Sequence, residues 1–242
     1  MSRPVLEWRD LGTVPYAEAW ALQDALREKR IAGDIPNTLL LLEHPPVFTM
    51  GKRDCAGDFV SSPESVAEEG IEVVKTNRGG GITYHGPGQL VGYFICRISD
   101  FVLGVRDFVG AVERMCMLVL SRQGVEGARD EGHPGIWVGR SKIVAIGMNV
   151  QHGITQHGFA LNVDLDLKPY RHIVACGIRD RGVTSIAALT GRSCPMRRLK
   201  SSVAEAAGEV LGCVVREEKG PYAEVNLGSS ASGVGSSAGG SS

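Results

Sequence analysis

Residues 78–95 read Arg78-Gly79-Gly80-Gly81-Ile82-Thr83-Tyr84-His85-Gly86-Pro87-Gly88-Gln89-Leu90-Val91-Gly92-Tyr93-Phe94-Ile95. Three successive glycines permit positive φ and let a backbone come close to a ligand. A phosphate-binding loop is the obvious expectation, but such loops read G-x-G-x-x-G or G-x-x-x-x-G-K-[ST] and lead into a helix. Neither pattern is present, and Leu90–Ile95 is strand-like, as is Ile71–Lys75 upstream. The glycines therefore connect β-structure to β-structure, which argues against a dinucleotide-binding fold. A plain turn is the bland alternative, since turns are glycine's commonest use. Against it, Arg78, Thr83, Tyr84, His85 and Gln89 add charge, hydroxyl, ring and amide that a turn does not need.

Outward from this segment, helical and strand patterns alternate. Pro15 sits where a first helical turn begins, and Ala19, Leu22 and Leu26 follow at helical spacing until Gly33. Leu39–Glu43 reads as a buried strand and Val47–Thr49 as a second after Pro45-Pro46. Ser62-Pro63 opens a short helix ending near Gly70. Val105, Phe108, Val109, Val112, Met115, Cys116 and Val119 mark a long amphipathic helix that stops at Gly124. Gly135–Val138 and Lys142–Gly147 read as strands joined at Gly139-Arg140. Phe159, Leu161, Val163 and Leu165 alternate with Gly158, Ala160, Asn162 and Asp164, giving a strand with one apolar face and one small or polar face. Thr184 or Ser185 caps a short helix to Gly191, and Val203, Ala206, Ala207 and Val210 lie on a last one. Mixed order of this kind predicts an α/β (α+β) single domain over residues 1–225. From Gly228 onward the chain is almost pure Gly, Ser and Ala, and residues 226–242 are expected to be a disordered Gly/Ser-rich tail.

With 26 basic and 27 acidic side chains among 242 residues, the net charge of −1 gives no general attraction to nucleic acid or anionic membrane. No apolar run approaches the roughly 18 residues that span a bilayer, and residues 1–10 lack the pattern of a signal peptide. The six cysteines are dispersed without a C-x-x-C, so reduced thiols and a cytoplasmic location are expected. His152 and His157, five apart, make only a weak metal signal, and no metal site is expected.

Among those cysteines Cys116 lies on the helical apolar stripe and Cys96 ends an apolar strand. Cys55 falls in a polar loop, Cys194 after a turn and Cys213 behind a helix. Cys176 ends the short apolar segment Ile173-Val174-Ala175, before Gly177 and an incipient helix. Unsatisfied N–H groups at a helix start favour a thiolate, yet from spacing alone a buried cysteine remains the commoner reading. Lys142, opening an apolar strand, reads by itself as a solvated edge residue.

The run Arg78–Leu90 closely resembles the signature of the bacterial lipoyl(octanoyl) transferases. The likeness continues through Leu42-Glu43-His44-Pro45, Lys142–Gly147, His157–Val163, Cys176-Gly177-Ile178 and Val183-Thr184-Ser185, and spans roughly Trp8 to Cys213. That resemblance implies a mixed sheet flanked by helices, like the catalytic domain of biotin– and lipoate–protein ligases. It implies Cys176 as the acyl-accepting nucleophile and Lys142 as its general acid/base. It also implies an acyl pocket from Arg78, Gly79, Gly80, Gly81, Ile82, Thr83, Tyr84 and His85, from Ala145, Ile146 and Gly147, and from Gly158, Phe159 and Ala160. The implied reaction passes an octanoyl group from octanoyl-acyl carrier protein, through a cysteine thioester, to a lysine of a lipoyl domain. The acceptors would be 2-oxoacid dehydrogenases and the glycine cleavage H protein, with no cofactor, no ATP and a monomeric enzyme. Many family members carry proline before the nucleophile, where this chain has Ala175. An ATP-dependent ligase forming an acyl-adenylate is the nearest rival reading, and a non-catalytic carrier-binding module is a second.

Overall fold

A computed structural model describes residues 3–53, 57–101, 104–130, 132–174 and 181–219. The chain begins with β1 (Val5–Thr13), where buried Leu6 and Trp8 alternate with the more open Glu7 and Arg9. Pro15 precedes α1 (Tyr16–Ala32), and Gly33 closes it in the left-handed conformation at φ 88°, where glycine has no Cβ to clash. Next come β2 (Asn37–Glu43), β3 (Val47–Met50), α2 (Pro63–Glu68), β4 (Glu72–Lys75), β5 (Ile82–His85) and β6 (Gln89–Ile95). α3 (Val105–Arg122) leads to β7 (Ala128–Arg129), β8 (Ile136–Val138), β9 (Ser141–Gln151) and β10 (Ile154–Asn162). β11 (Gly182–Val183), α4 (Ile186–Thr190), α5 (Met196–Leu211) and β12 (Val214–Glu217) complete the described chain.

Nine of the described strands form one mixed sheet in the order β12-β1-β2-β6-β10-β9-β8-β7, with β11 also paired to β9. β1 runs parallel to β12 and β2, whereas β2, β6, β10 and β9 are antiparallel in turn. β4-β3-β5 make a second, three-stranded sheet. The central strands are covered on both sides, so Leu39, Leu40, Leu41 and Leu42 of β2 are all fully buried. Each such side chain contributes roughly 1.5–3 kcal/mol on leaving water. Their alternation sends Leu39 and Leu41 to a large cluster with Phe94, Phe108, Met115 and Val203, under α3 and α5. Leu40 and Leu42 go to a smaller one with Leu22, Leu26 and Tyr93, under α1. A third cluster, around Phe48, Val66, Tyr84 and Ile173, fills the space beside the small sheet.

The mixed α/β architecture with helices flanking the sheet is the one expected. Several features differ in detail: β7 and β11 have no sequence signal, and β9 runs from Ser141 to Gln151 where the pattern predicts Lys142–Gly147. Charged residues interrupt the alternation of β1 and β12, so the pattern does not mark either as a strand. β5 lies inside the segment read as a connection. β10 begins at Ile154 and ends at Asn162, since the amides of Val163 and Asp164 bond Gly88 O instead of a neighbouring strand. The small face of β10 is also buried, so all nine of its residues lie out of solvent. The tail at 226–242 falls outside the described residues.

Candidate active site

The glycine-rich loop, β6, β9 and β10 enclose a cavity of about 620 Å³, within the roughly 300–1,000 Å³ of small-ligand sites. Gly79, Gly80 and Gly81 drape over the β9–β10 pair, and Gly79 N donates to Met148 O at 3.0 Å. The approach is close enough to require glycine on the sheet as well. A Cβ on Gly147 would stand 2.7 Å from Gly79 O, a backbone atom with little room to give.

Arg78 is buried and anchors the loop. Its Nε donates to Thr49 Oγ1 at 3.1 Å, its second terminal nitrogen reaches Thr49 O and Oγ1, and its first donates to Gly79 O at 3.0 Å. Thr49 Oγ1 in turn donates to His85 Nε2 at 3.1 Å, while His85 Nδ1–H donates to Gln89 Oε1 at 2.7 Å. Gln89 Nε2 donates to Asn162 Oδ1 at 2.9 Å, and Asn162 Nδ2 to Thr184 O at 2.9 Å. Since Gln89 Nε2 also donates to Tyr84 O, its Oε1 must accept, and the network assigns the neutral Nδ1–H tautomer to His85. Burial, with His44 and Arg78 nearby, pushes the His85 pKa well below its ordinary value. His44 is lowered to about 4 by burial; its Nδ1–H donates to Val14 O and its Nε2 accepts from Tyr93 Oη, both at 2.7 Å. His157 is lowered to about 3, by burial and then by Arg78, Lys52 and Arg27. Its Nε2–H donates to Asn77 Oδ1 at 2.6 Å, from a backbone at φ 61°. The inner end of the cavity is therefore polar yet carries neutral histidines.

Lys142 stands at the other side of the same cavity and is only 8% exposed. A register slip explains its burial. Ile136 pairs with Val144 but Trp137 pairs with Lys142, so β9 carries one extra residue. Ile143 and Val144 consequently both join the large core cluster, while Lys142 and Ala145 both line the cavity. The Lys142 ammonium donates to Pro134 O at 3.0 Å and lies 4.8 Å from the centre of the Trp137 ring. Thr184 N donates to Lys142 O at 3.0 Å where β11 pairs with β9.

The cavity gathers Arg78, Gly79, Gly80, Gly81, Ile82, Thr83, His85, Lys142, Ala145, Ile146, Gly147, Gly158, Phe159 and Ala160. Tyr84 is the exception. β5 alternates, so Thr83 and His85 face the cavity while the Tyr84 ring packs on Phe48 and Tyr170 in the third cluster. Cys176 lies outside the described residues, as does Cys55. Cys96, Cys116 and Cys213 are buried and Cys194 is half-buried; burial raises the pKa of all four thiols. Sequence reading did not single out Tyr16, Tyr93 and Asn149, which also line the cavity. Tyr93 was within reach of an alternation argument, because Val91 and Tyr93 share one face of β6. Tyr16 and Asn149 gave no local signal. Among the described residues no helix is long and apolar enough to cross a membrane.

This fold is that of a known class. Residues 15–208 match the model of the lipoyl protein ligase A/B catalytic domain, and the chain belongs to that family. It is 45% identical over 214 residues to an octanoyltransferase of Rubrobacter xylanophilus, covering 87% of this chain and 96% of that protein. It is 43% identical over 212 residues to an octanoyltransferase of Mycobacterium leprae, covering 85% and 88%. Among solved structures, a lipoate-protein ligase A bound with ATP superimposes with a TM-score of 0.69 at 18% identity, over 90% of this chain and 89% of that one. The bi-partite lipoate protein ligase of Thermoplasma acidophilum gives 0.67 at 17% identity, over 90% and 87%. At these identities the two structures speak to the fold alone.

Proposed function

We propose that this chain is an octanoyltransferase that moves an octanoyl group from the thioester of acyl carrier protein to a lysine of a lipoyl domain. The observation that carries the reading is the cavity, lined by glycine, alanine and Phe159, with a buried lysine at one side and the buried Arg78 guanidinium beside neutral histidines at the other. Relatives at 43–45% identity that bear the name octanoyltransferase supply the acyl group.

Cys176 is the nucleophile in this reading. Burial holds the four described thiols in their neutral form, and a thiolate is the attacking species. The thiolate attacks the octanoyl carbonyl, and the carrier's phosphopantetheine thiol leaves with a proton from Lys142. The lipoyl-domain lysine then attacks the Cys176 thioester, Lys142 accepts its proton, and the Cys176 thiolate is released. Exchange between thioesters is nearly neutral in free energy and amide formation from a thioester runs downhill, so ATP is not consumed. Pro134 O orients the ammonium through both steps. Acceptors are the lipoyl domains of 2-oxoacid dehydrogenases and the glycine cleavage H protein, and the enzyme works as a cytoplasmic monomer.

Intact-mass measurement after mixing the protein with octanoyl-acyl carrier protein and no ATP tests this directly. The expected result is one added octanoyl mass, absent in Cys176→Ser, and transfer abolished in Lys142→Ala. ATP-dependent ligation of free octanoate without an adduct would overturn the reading in favour of a ligase.

A further inference from the structure

The segment between β7 and β8 is tied to the start of β11 by groups that the proposed chemistry does not itself use. Asp130 Oδ1 accepts from the Gly132 amide and from His133 Nδ1, both at 3.0 Å, and its Oδ2 accepts from Arg181. Hydrogen bonds from Arg181 and then His133 hold the Asp130 carboxyl down at about 2, so it is ionised throughout the neutral range. Arg181 also lies over the Trp137 ring, 4.8 Å from its centre, the same distance as the Lys142 ammonium. Trp137 is held in turn, since its Nε1–H donates to His133 O at 3.0 Å and the ring meets the His133 ring edge-on at 6.2 Å. The two residues after Arg181 are Gly182 and Val183, which pair with Ser141 and Lys142 of β9.

We propose that Asp130, Arg181 and Trp137 form a clamp that positions Lys142 for proton transfer, a proposal that rests on the role given to Lys142 above. Among the described residues, contacts that fix the lysine include three: the Pro134 carbonyl at its ammonium, the Trp137 ring along its side and β11 along its backbone. All three belong to segments that the Asp130–Arg181 pair joins. Asp130 holds Gly132 and His133 next to Pro134 through the Gly132 amide and the His133 amide and ring, and Arg181 fastens Asp130 to the strand beside Lys142. A partly exposed ion pair adds little to global stability. Its value here is geometric, because displacing a proton carrier by about 1 Å costs on the order of a hundredfold in rate. In this proposal Asp130 and Arg181 act through Lys142, and they are positioning residues.

Steady-state octanoyl transfer to a lipoyl domain, measured with thermal unfolding, tests the clamp in Asp130→Asn, Arg181→Gln, Arg181→Lys and the Asp130→Asn/Arg181→Gln double variant. The two neutralising singles should lose about tenfold or more in kcat with KM for the acceptor within about twofold and an unchanged melting temperature. The double variant should lose no more than the worse single, since one clamp can be opened only once. Arg181→Lys keeps the cation and should retain most of the activity. Wild-type kcat in both singles, losses that multiply in the double, or losses that follow the melting temperature each overturn the clamp. Should those results come with an inactive Lys142→Ala, the clamp alone falls. Near-normal kcat in Lys142→Ala removes the proton carrier and the clamp with it.

Discussion

The two faces of the main sheet are built from the same strands but hold themselves together differently. Under α3 and α5 the contact is mainly apolar: Leu39, Leu41, Phe94, Phe108, Met115, Val119 and Val203 interlock with Phe159 and Leu161, and the buried Lys200 of α5 is paired with Asp10 of β1. Under α1 the same strands present Leu40, Leu42 and Val91, but also Tyr93, and His44 and His85 lie within ring contact of Tyr16. One face is a close-packed interior, where shape sets the energy. The other face brings Tyr16, His85, Tyr93 and His157 to the cavity and depends on hydrogen-bond partners being supplied one by one. Alternation separates the two roles only in part, because the consecutive residues Ala145, Ile146 and Gly147 of β9 and Gly158, Phe159 and Ala160 of β10 all reach the cavity, and Phe159 belongs to the apolar cluster as well.

The sharpest way to break the comparison is to damage the apolar face. Phe108 is fully buried between Phe94 and Phe101, and Phe108→Ala should cost about 3–5 kcal/mol in urea unfolding, while molecules that remain folded keep their acyl-transfer rate. A parallel loss of rate would mean the faces are mechanically coupled. Acidification should act on the opposite face. His44 and His157 have folded pKa values of about 4 and 3, below the unfolded value of 6.5, and His85 is also lowered. Below pH 6.5 the unfolded chain binds protons that the folded chain cannot, so stability falls as pH drops from 6.5 toward those folded values and is level above 6.5. At pH 5.5 each histidine held neutral costs about 1 kcal/mol. Unfolding free energies at pH 7 and 5.5 check this, and His157→Gln should lessen the slope. The smallest effect on stability, but a clear one on activity, is expected for Gly147→Ala. The added Cβ would press on Gly79 O, lifting the loop from β9 and lowering transfer about tenfold for a cost of about 1 kcal/mol.

How much of this could be read beforehand varied with the kind of signal. α3 was legible because its apolar residues recur over five turns, and α1 because Pro15 and Gly33 mark its ends. β1 was not, since Glu7, Arg9 and Asp10 dilute a two-residue alternation that only the partners β2 and β12 make meaningful. Of the site, the glycine run announced itself by composition. Lys142 did not: local pattern makes it an edge residue, whereas the bulge opposite Trp137 turns it inward. The same holds for His157, which reads as half of a weak metal pair and instead bonds Asn77 under α1.

The amino-acid sequence by itself determined the class of fold, the glycine-rich connection that is not a phosphate loop, and the core reading of Cys116. These rest on periodicity and composition, which are local. Only the tertiary structure decided that Tyr84 faces away from the cavity, that Lys142 and Ala145 share a face, and that Asp130 meets Arg181 from 51 positions away. Those outcomes depend on register and on which strands lie side by side, and a one-residue slip in pairing reverses which side chains point inward.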